Sequence, residues 1–311
     1  MRKYLIAGPA RKDTAVLTEK LPKDGEELRP LRTWNRIAGS GWNAANAFQS
    51  LNMDYDLISP VGTGISADAV LLEAQKRGIA FEDLTEEIHG SSYTVIDRQG
   101  RTRSMIVPGA ESVYSEDLFG WIDPDDYEGL ILSEEALVYD DSGILFAAAE
   151  AFAGKLHLSL GLGRLAEPEE GIRILLSFSP VVYTDNDAMY ELPADKDAGI
   201  ILKNISGMTG REVLFQQNHH GVKMIREEEM LEVQPLYRTT VDRTGTTDAL
   251  MAAYCIAVNC GLRREDALQY AAQYSSKVGQ STEACLPVSA YAGCREELAS
   301  FILKGRKYTE Q

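Results

Sequence analysis

Residues 238–254 read RTTVDRTGTTDALMAAY: a β-branched stretch, a polar turn containing Gly245 and Asp248, and the start of a long apolar run. That order suits a strand handing a loop to a helix N-terminus, where unpaired N–H groups can hold an anion. A carboxylate beside a stored anion is unfavourable, but the same pair suits phosphoryl transfer. The donors would stabilise the moving phosphoryl group while Asp248 accepts the proton of an attacking hydroxyl. The local pattern also allows a plainer role for Asp248, as an acid in the first helical turn facing the helix dipole.

A second stretch, GSGWNA at 39–44, satisfies the G-x-G-x-x-A form of the dinucleotide fingerprint and would point to hydride transfer. Those glycines must directly follow the first strand, with an acid at the end of the second. Here the first strand, Tyr4 to Ala7, closes at Gly8-Pro9, far upstream, and Asp54 and Asp56 precede the second strand's end. The chain also has no G-x-x-x-x-G-K-[ST] segment, so the classical phosphate loop is absent.

The elements that must carry these residues alternate. Strand-like runs at Tyr4–Ala7 and Tyr55–Ile58 are interleaved with helical periods at Ala44–Leu51 and Asp68–Arg77, as in a parallel sheet with crossovers. Residues 92–107, SYTVIDRQGRTRSMIV, alternate about a polar turn and predict a hairpin. Alternation resumes at Leu130–Leu132, Leu156–Leu160 and Val181–Tyr183, with helices near 144–152 and 169–176 and a further apolar run at Ile200–Lys203. A hairpin turning at Asn218–Gly221 precedes the opening motif and two C-terminal helices.

Composition bounds the function. The 311 residues are 44% hydrophobic and 25% charged, and 31 Lys plus Arg against 47 Asp plus Glu give a net charge of −16. Such a chain repels polyanions, which argues against nucleic-acid and anionic-membrane partners. The longest uncharged apolar stretch, Ala249–Leu262, is too short for a membrane span. The N-terminal residues carry no signal-peptide core, predicting a cytoplasmic protein. Cys255, Cys260, Cys285 and Cys294 lack metal-ligand spacing and read as buried thiols. His219-His220 read as a solvated turn, and His89 and His157 have no matching partners.

DRTGTTDALMAA resembles the D-T-T-G-A-G-D-A-F signature of the ribokinase family, the PfkB-type carbohydrate and nucleoside kinases. Further matches follow in the family's order: IAGPARKD resembles the opening strand with G-x-x-x-x-D, LPKDGEE the L-P-x-x-G-E segment, and GWNAANAF the G-G-x-A-A-N-x-A helix start. VGTGISAD resembles the V-G-x-D-x-x-G turn and VPGA the P-G-A after the hairpin. The resemblance implies an α/β fold, a ribokinase-like three-layer α/β/α core of residues 1–311, with a small β-sheet lid from about 14–36 and 90–108. It implies ATP and Mg2+ as cofactors, a small-molecule sugar or nucleoside as acceptor, and a homodimer. Asp248 becomes the catalytic base and Gly245, Thr246 and Thr247 the anion hole. Asp13, Gly41, Trp42 and Asn46 fall at the acceptor, and Asp242 and Thr244 where a monovalent cation, K+, binds.

Departures from the pattern keep other readings open. Thr247 stands where the family has a second glycine, and its β-branch is expected to resist positive φ. The family's metal-organising N-x-x-E falls on TDNDAMYEL, with Asp185 at the Asn position and Ala188 at the Glu position, which leaves Asp185 as the metal candidate. D-P-N-x-R survives only as Arg164. Trp42, at a glycine position, either stacks on a ring of the acceptor or packs in the core beside Trp34. The leading expectation is an ATP-dependent kinase acting on a hydroxyl of a sugar or sugar-containing molecule. The alternatives are a nucleoside-type kinase, a catalytically weak ligand-binding relative and, most distantly, a dinucleotide oxidoreductase.

Overall fold

The computed structural model describes residues 2–81, 83–140, 142–185, 192, 196–217 and 221–309. In chain order the strands are β1 Lys3–Ala7, β2 Arg11–Leu17, β3 Arg32–Ala38, β4 Tyr55–Ile58, β5 Val61–Thr63, β6 Leu84–Ile88, β7 Ser91–Ile96, β8 Thr102–Val107, β9 Tyr127–Ser133, β10 Leu156–Ser159, β11 Val181–Asp185, β12 Val213–Gln216, β13 Val222–Arg226 and β14 Glu229–Val233. The helices are α1 Ser40–Leu51, α2 Ile65–Arg77, α3 Glu116–Phe119, α4 Glu134–Val138, α5 Ile144–Ala151, α6 Leu162–Ala166, α7 Glu170–Ser177, α8 Ala198–Thr209, α9 Thr246–Asn259, α10 Arg264–Val278 and α11 Tyr291–Thr309.

Eight strands form the central sheet in the order β14-β13-β12-β11-β10-β9-β1-β4, parallel from β12 to β4, with β13 and β14 added antiparallel at one edge. Both faces are covered, and the first strand shows how. Tyr4 and Ile6 point into a core shared with α1, α9, α10 and α11, whereas Leu5 and Ala7 point into the opposite core with α5 and α7. A period of two with apolar residues on both faces is what a sheet between two helical layers requires. The parallel sheet is as the alternation predicts, and the three layers are as the resemblance implies.

The two segments expected to form a lid pair into one four-stranded sheet, β3-β2-β7-β8. Asp13 on β2 lies opposite Arg36 on β3 and opposite Ser92 on β7, so these side chains share one face. β5 and β6 make a separate two-stranded pair. The run Ile200–Lys203 lies inside α8, with Asp197 capping its N-terminus. The hairpin β12–β13 is present, and its turn at 218–220, with His219 and His220, lies outside the described residues.

GSGWNA has a packing role. Gly39 takes φ +113, and a Cβ on Gly41 would sit 2.1 Å from the carbonyl oxygen of Gly8. The glycines thus let α1 press against the end of β1, and the strand they follow, β3, belongs to the small sheet. The four cysteines are free thiols, three of them buried. Among the described residues no helix is long and apolar enough to cross a membrane.

Candidate active site

The carboxyl ends of β9, β10 and β11 and the N-termini of α1 and α9 converge on a cavity of about 250 Å3. Carboxyl ends of parallel strands are where open α/β sheets place ligands. β9 contributes Ser133 and, just beyond it, Glu134 and Glu135, β10 Ser159, and β11 Asp185. Ser40 comes from α1, while Arg243, Gly245, Thr247 and Asp248 come from the loop and first turn of α9.

Gly245 caps α9 with φ +76, and a Cβ there would lie 2.0 Å from the carbonyl oxygen of Ala284. Only glycine fits that approach. Having no side chain, it offers no cap to the first turn; the Thr246 amide donates to the Arg243 carbonyl at 3.1 Å, and the amides of Thr247 and Asp248 are the ones open to an anion. Thr246 is turned inward, its hydroxyl donating to the Arg243 carbonyl at 2.9 Å. The strain expected at Thr247 does not arise. The helix begins at Thr246, so Thr247 has helical dihedrals and is absent from the positive-φ residues. Its hydroxyl lies at the cavity and donates to Asp185.

Asp248 is half-buried at the cavity. Burial raises its carboxyl to about 7, aided by the charges of Glu135 and Asp185; the Asn43 amide, donating to its Oδ2 at 2.9 Å, pulls the other way. A carboxyl poised near neutrality suits a general base.

The other acids have structural partners. Glu135 accepts the Ser40 amide at 2.8 Å and Arg11 at 2.9 Å. Glu134 accepts the Gly161 amide and Arg164, both at 2.8 Å, which gives Arg164 a place beside the cavity. Among the described residues no group of three or more His, Cys, Asp or Glu could hold a metal unaided. Asp185 does line the cavity, but Ala188 lies outside the described residues.

Asp13 and Asn46, expected at the acceptor, do not line this cavity. Asp13 is fully buried, and its oxygens take Arg36 Nε at 2.8 Å, Ser92 at 2.8 Å and Thr94 at 2.9 Å. Asn46 is fully buried and donates to the Tyr291 hydroxyl at 2.7 Å. One helical turn earlier, Asn43 is the amide that meets Asp248. Trp42 is fully buried too, though not beside Trp34. It lies parallel to Phe81, centroids 6.5 Å apart, with the Arg77 guanidinium 5.8 Å from its ring. It borders a separate cavity of about 290 Å3 with Lys12, Ile37 and Leu72. Trp34 instead donates its indole N–H to the Thr282 carbonyl.

Asp242 and Thr244 are joined to each other and to Arg36. The Thr244 hydroxyl donates to Asp242 at 2.7 Å, and Arg36 donates to Asp242 Oδ2 and, at 3.0 Å, to Thr244 Oγ1. The sequence reading missed Asn43, Glu134, Glu135, Arg36 and Arg243. Of these, the acid pair carried a signal, as SEEAL directly follows an apolar strand that ends at the site.

No family model and no curated protein matches the sequence. Solved structures do match. Adenosine kinase from Sinorhizobium meliloti superposes with a TM-score of 0.79 at 14% identity over 95% of this chain and 99% of that one. A nucleoside kinase from Burkholderia thailandensis, in complex with inosine, gives 0.74 at 15% over 96% of each chain. Arabidopsis thaliana ribokinase, with ribose and ATP, gives 0.71 at 19% over 97% and 98%. At these identities the likeness establishes the fold, and the fold is that of the ribokinase family.

Proposed function

We propose that the protein is a kinase of the ribokinase family that transfers a phosphoryl group from ATP to a hydroxyl of a sugar or sugar-containing small molecule. The observation that carries this is the junction of an uncapped helix N-terminus with a near-neutral carboxyl in one cavity. Structures of the same fold hold ribose with ATP, or inosine, which supports an acceptor with a sugar hydroxyl.

Asp248 accepts the proton of that hydroxyl as its oxygen bonds to the γ-phosphorus and the bond to the β-phosphate oxygen breaks, releasing ADP. The amides at Thr247 and Asp248, with Arg243, stabilise the charge on the transferring group. A Mg2+ ion arriving with the nucleotide would meet Asp185 and would neutralise phosphate oxygens; that arrangement fits the few carboxylates present, since Mg2+ is commonly held by one or two of them plus phosphates. The narrow groove past Thr246, bordered by Tyr237, Ala272, Ser276 and Gly279, is where we place the base of the nucleotide.

The small sheet, β3-β2-β7-β8, serves as a lid. Its outer face exposes Tyr93, Met105 and Val107, a surface that a second copy would cover. A homodimer is the expected state by light scattering; a monomer at all concentrations would remove it.

With Trp42 packed against Phe81, it gives no stacking preference at the Asp248 cavity. ATP consumption should be screened across a panel of sugars and nucleosides with Mg2+. Turnover of at least one is expected, and none across the panel would favour the ligand-binding alternative.

A further inference from the structure

Asp242, Thr244 and the Thr282 carbonyl bring their oxygens together where the loop turns into α9, and the family resemblance assigns a monovalent cation to the first two. The residues present do not fit such an ion. The position is taken by the Arg36 guanidinium, which donates to Asp242 Oδ2, to the Thr282 carbonyl at 3.1 Å and to Thr244 Oγ1 at 3.0 Å. A fourth donor, Nε, reaches Asp13 at 2.8 Å.

We propose that Arg36 is the resident cation of the loop that leads into α9, a positioning residue supplied by the lid in place of a monovalent metal ion, so that the protein works without one.

Charge and donor count support the exchange. An arginine brings one positive charge and five donors in a rigid fork, and here the fork meets carboxylate, hydroxyl and carbonyl oxygens together. Arg36, Asp13 and Asp242 are almost wholly buried. Burial disfavours the guanidinium charge, but Asp242 and Asp13 outweigh it and hold the group above its ordinary range. A second cation against the same three oxygens would face an already buried positive charge, which is unfavourable in so dry a place.

The origin of the charge has a consequence. A metal ion enters from solvent, and its occupancy follows concentration. Arg36 sits on β3, in the lid, whereas Asp242, Thr244 and Thr282 belong to loops flanking α9 and α10. The charge at this loop is therefore supplied by the chain itself, from a strand of the small sheet.

The proposal rests on reading this loop as the anion hole, so the test includes a measurement that needs no turnover. Melting temperature, and rate on any substrate found, are compared in KCl and in tetramethylammonium chloride at equal ionic strength. The wild type should behave alike in both salts. Arg36→Ala opens the three oxygens to K+. It should lose about tenfold or more in rate without K+, regain much of it in KCl, and melt higher in KCl than in tetramethylammonium. Arg36→Lys, which keeps the charge, should stay indifferent to K+. A wild type that melts higher or turns over faster with K+ overturns the proposal. So does a folded Arg36→Ala that ignores K+ by both measures, active or not. If Arg36→Ala does not fold, the wild-type arm and Arg36→Lys still decide.

Discussion

Asp242, in the loop before α9, and Asp248, in the first turn of that helix, have opposite surroundings. Asp242 is buried among donors: the Thr244 amide and hydroxyl on one oxygen and Arg36 on the other. Among the described residues Asp248 accepts from the Asn43 amide alone, with Glu135 and Asp185 as like-charged neighbours and a carboxyl raised to about 7. The first carboxylate is neutralised and fixes the loop. The second is left short of donors, and that shortage makes it basic enough to take a proton. Burial by itself does not mark a reactive acid; a deficit of compensating donors beside a cavity does.

The largest effect expected from this contrast is on rate. Asp248→Asn keeps the shape and the Asn43 contact region but removes the proton acceptor. kcat should fall by about 10^2- to 10^4-fold, with the circular dichroism spectrum unchanged. An Asp248→Asn enzyme that turns over the identified substrate normally would move the base elsewhere.

How far the two aspartates could be told apart from the sequence is instructive. The layers were legible, because apolar residues alternate onto both faces of β1 and its neighbours, and so was the mouth of α9, because Gly245 and a polar turn interrupt apolar runs. The partner of Asp242 was not. Arg36 is 206 residues away, and nothing local in RTWNRIA announces a cation for a distant loop. Asn43 was missed for a different reason. It and Asn46 begin the same helix, and a motif cannot say which turn faces α9 and which faces Tyr291. Thr247 was judged by the glycine it replaces, whereas the helix start at Thr246 gives it ordinary dihedrals. Helix boundaries decide such cases, and they are the least legible feature of a sequence.

A smaller effect concerns stability. The folded carboxyl of Asp248 titrates near 7 against an ordinary value of 3.8. A group raised in this way contributes stability that is complete below about pH 4 and is lost as pH rises through 7. At pH 8 the native state carries a charged carboxylate that burial and two acidic neighbours disfavour. Asp248→Asn should therefore stabilise the protein at pH 8, on the order of 2 kcal/mol once solvent access at the cavity is allowed for, and change little at pH 4. Urea melts at the two pH values measure this. The corresponding neutralisation at Asp242 should do the reverse, because it strands the buried Arg36. Equal effects at the two aspartates would erase the comparison.

The smallest effect sharpens it most, because it asks whether one hydrogen bond sets the reactivity of Asp248. With a base titrating near 7, kcat/KM should fall about tenfold per pH unit below that point. Asn43 stabilises the carboxylate through its N–H and so lowers the titration point. Replacing it with Ala removes that donor, and the acid limb should move to higher pH. A neutral donor to a charged group contributes about 1.5–3 kcal/mol at most, and water entering the half-open cavity would replace part of it, so the shift should be about one unit or less. The fold should tolerate the change. Asn43 Oδ1 is buried without a partner, so truncation removes an unsatisfied acceptor together with the useful donor. A purely structural role for Asn43 would lower the plateau above pH 8 and leave the limb where it was; movement of the limb with the plateau kept is what the contrast between the two aspartates requires.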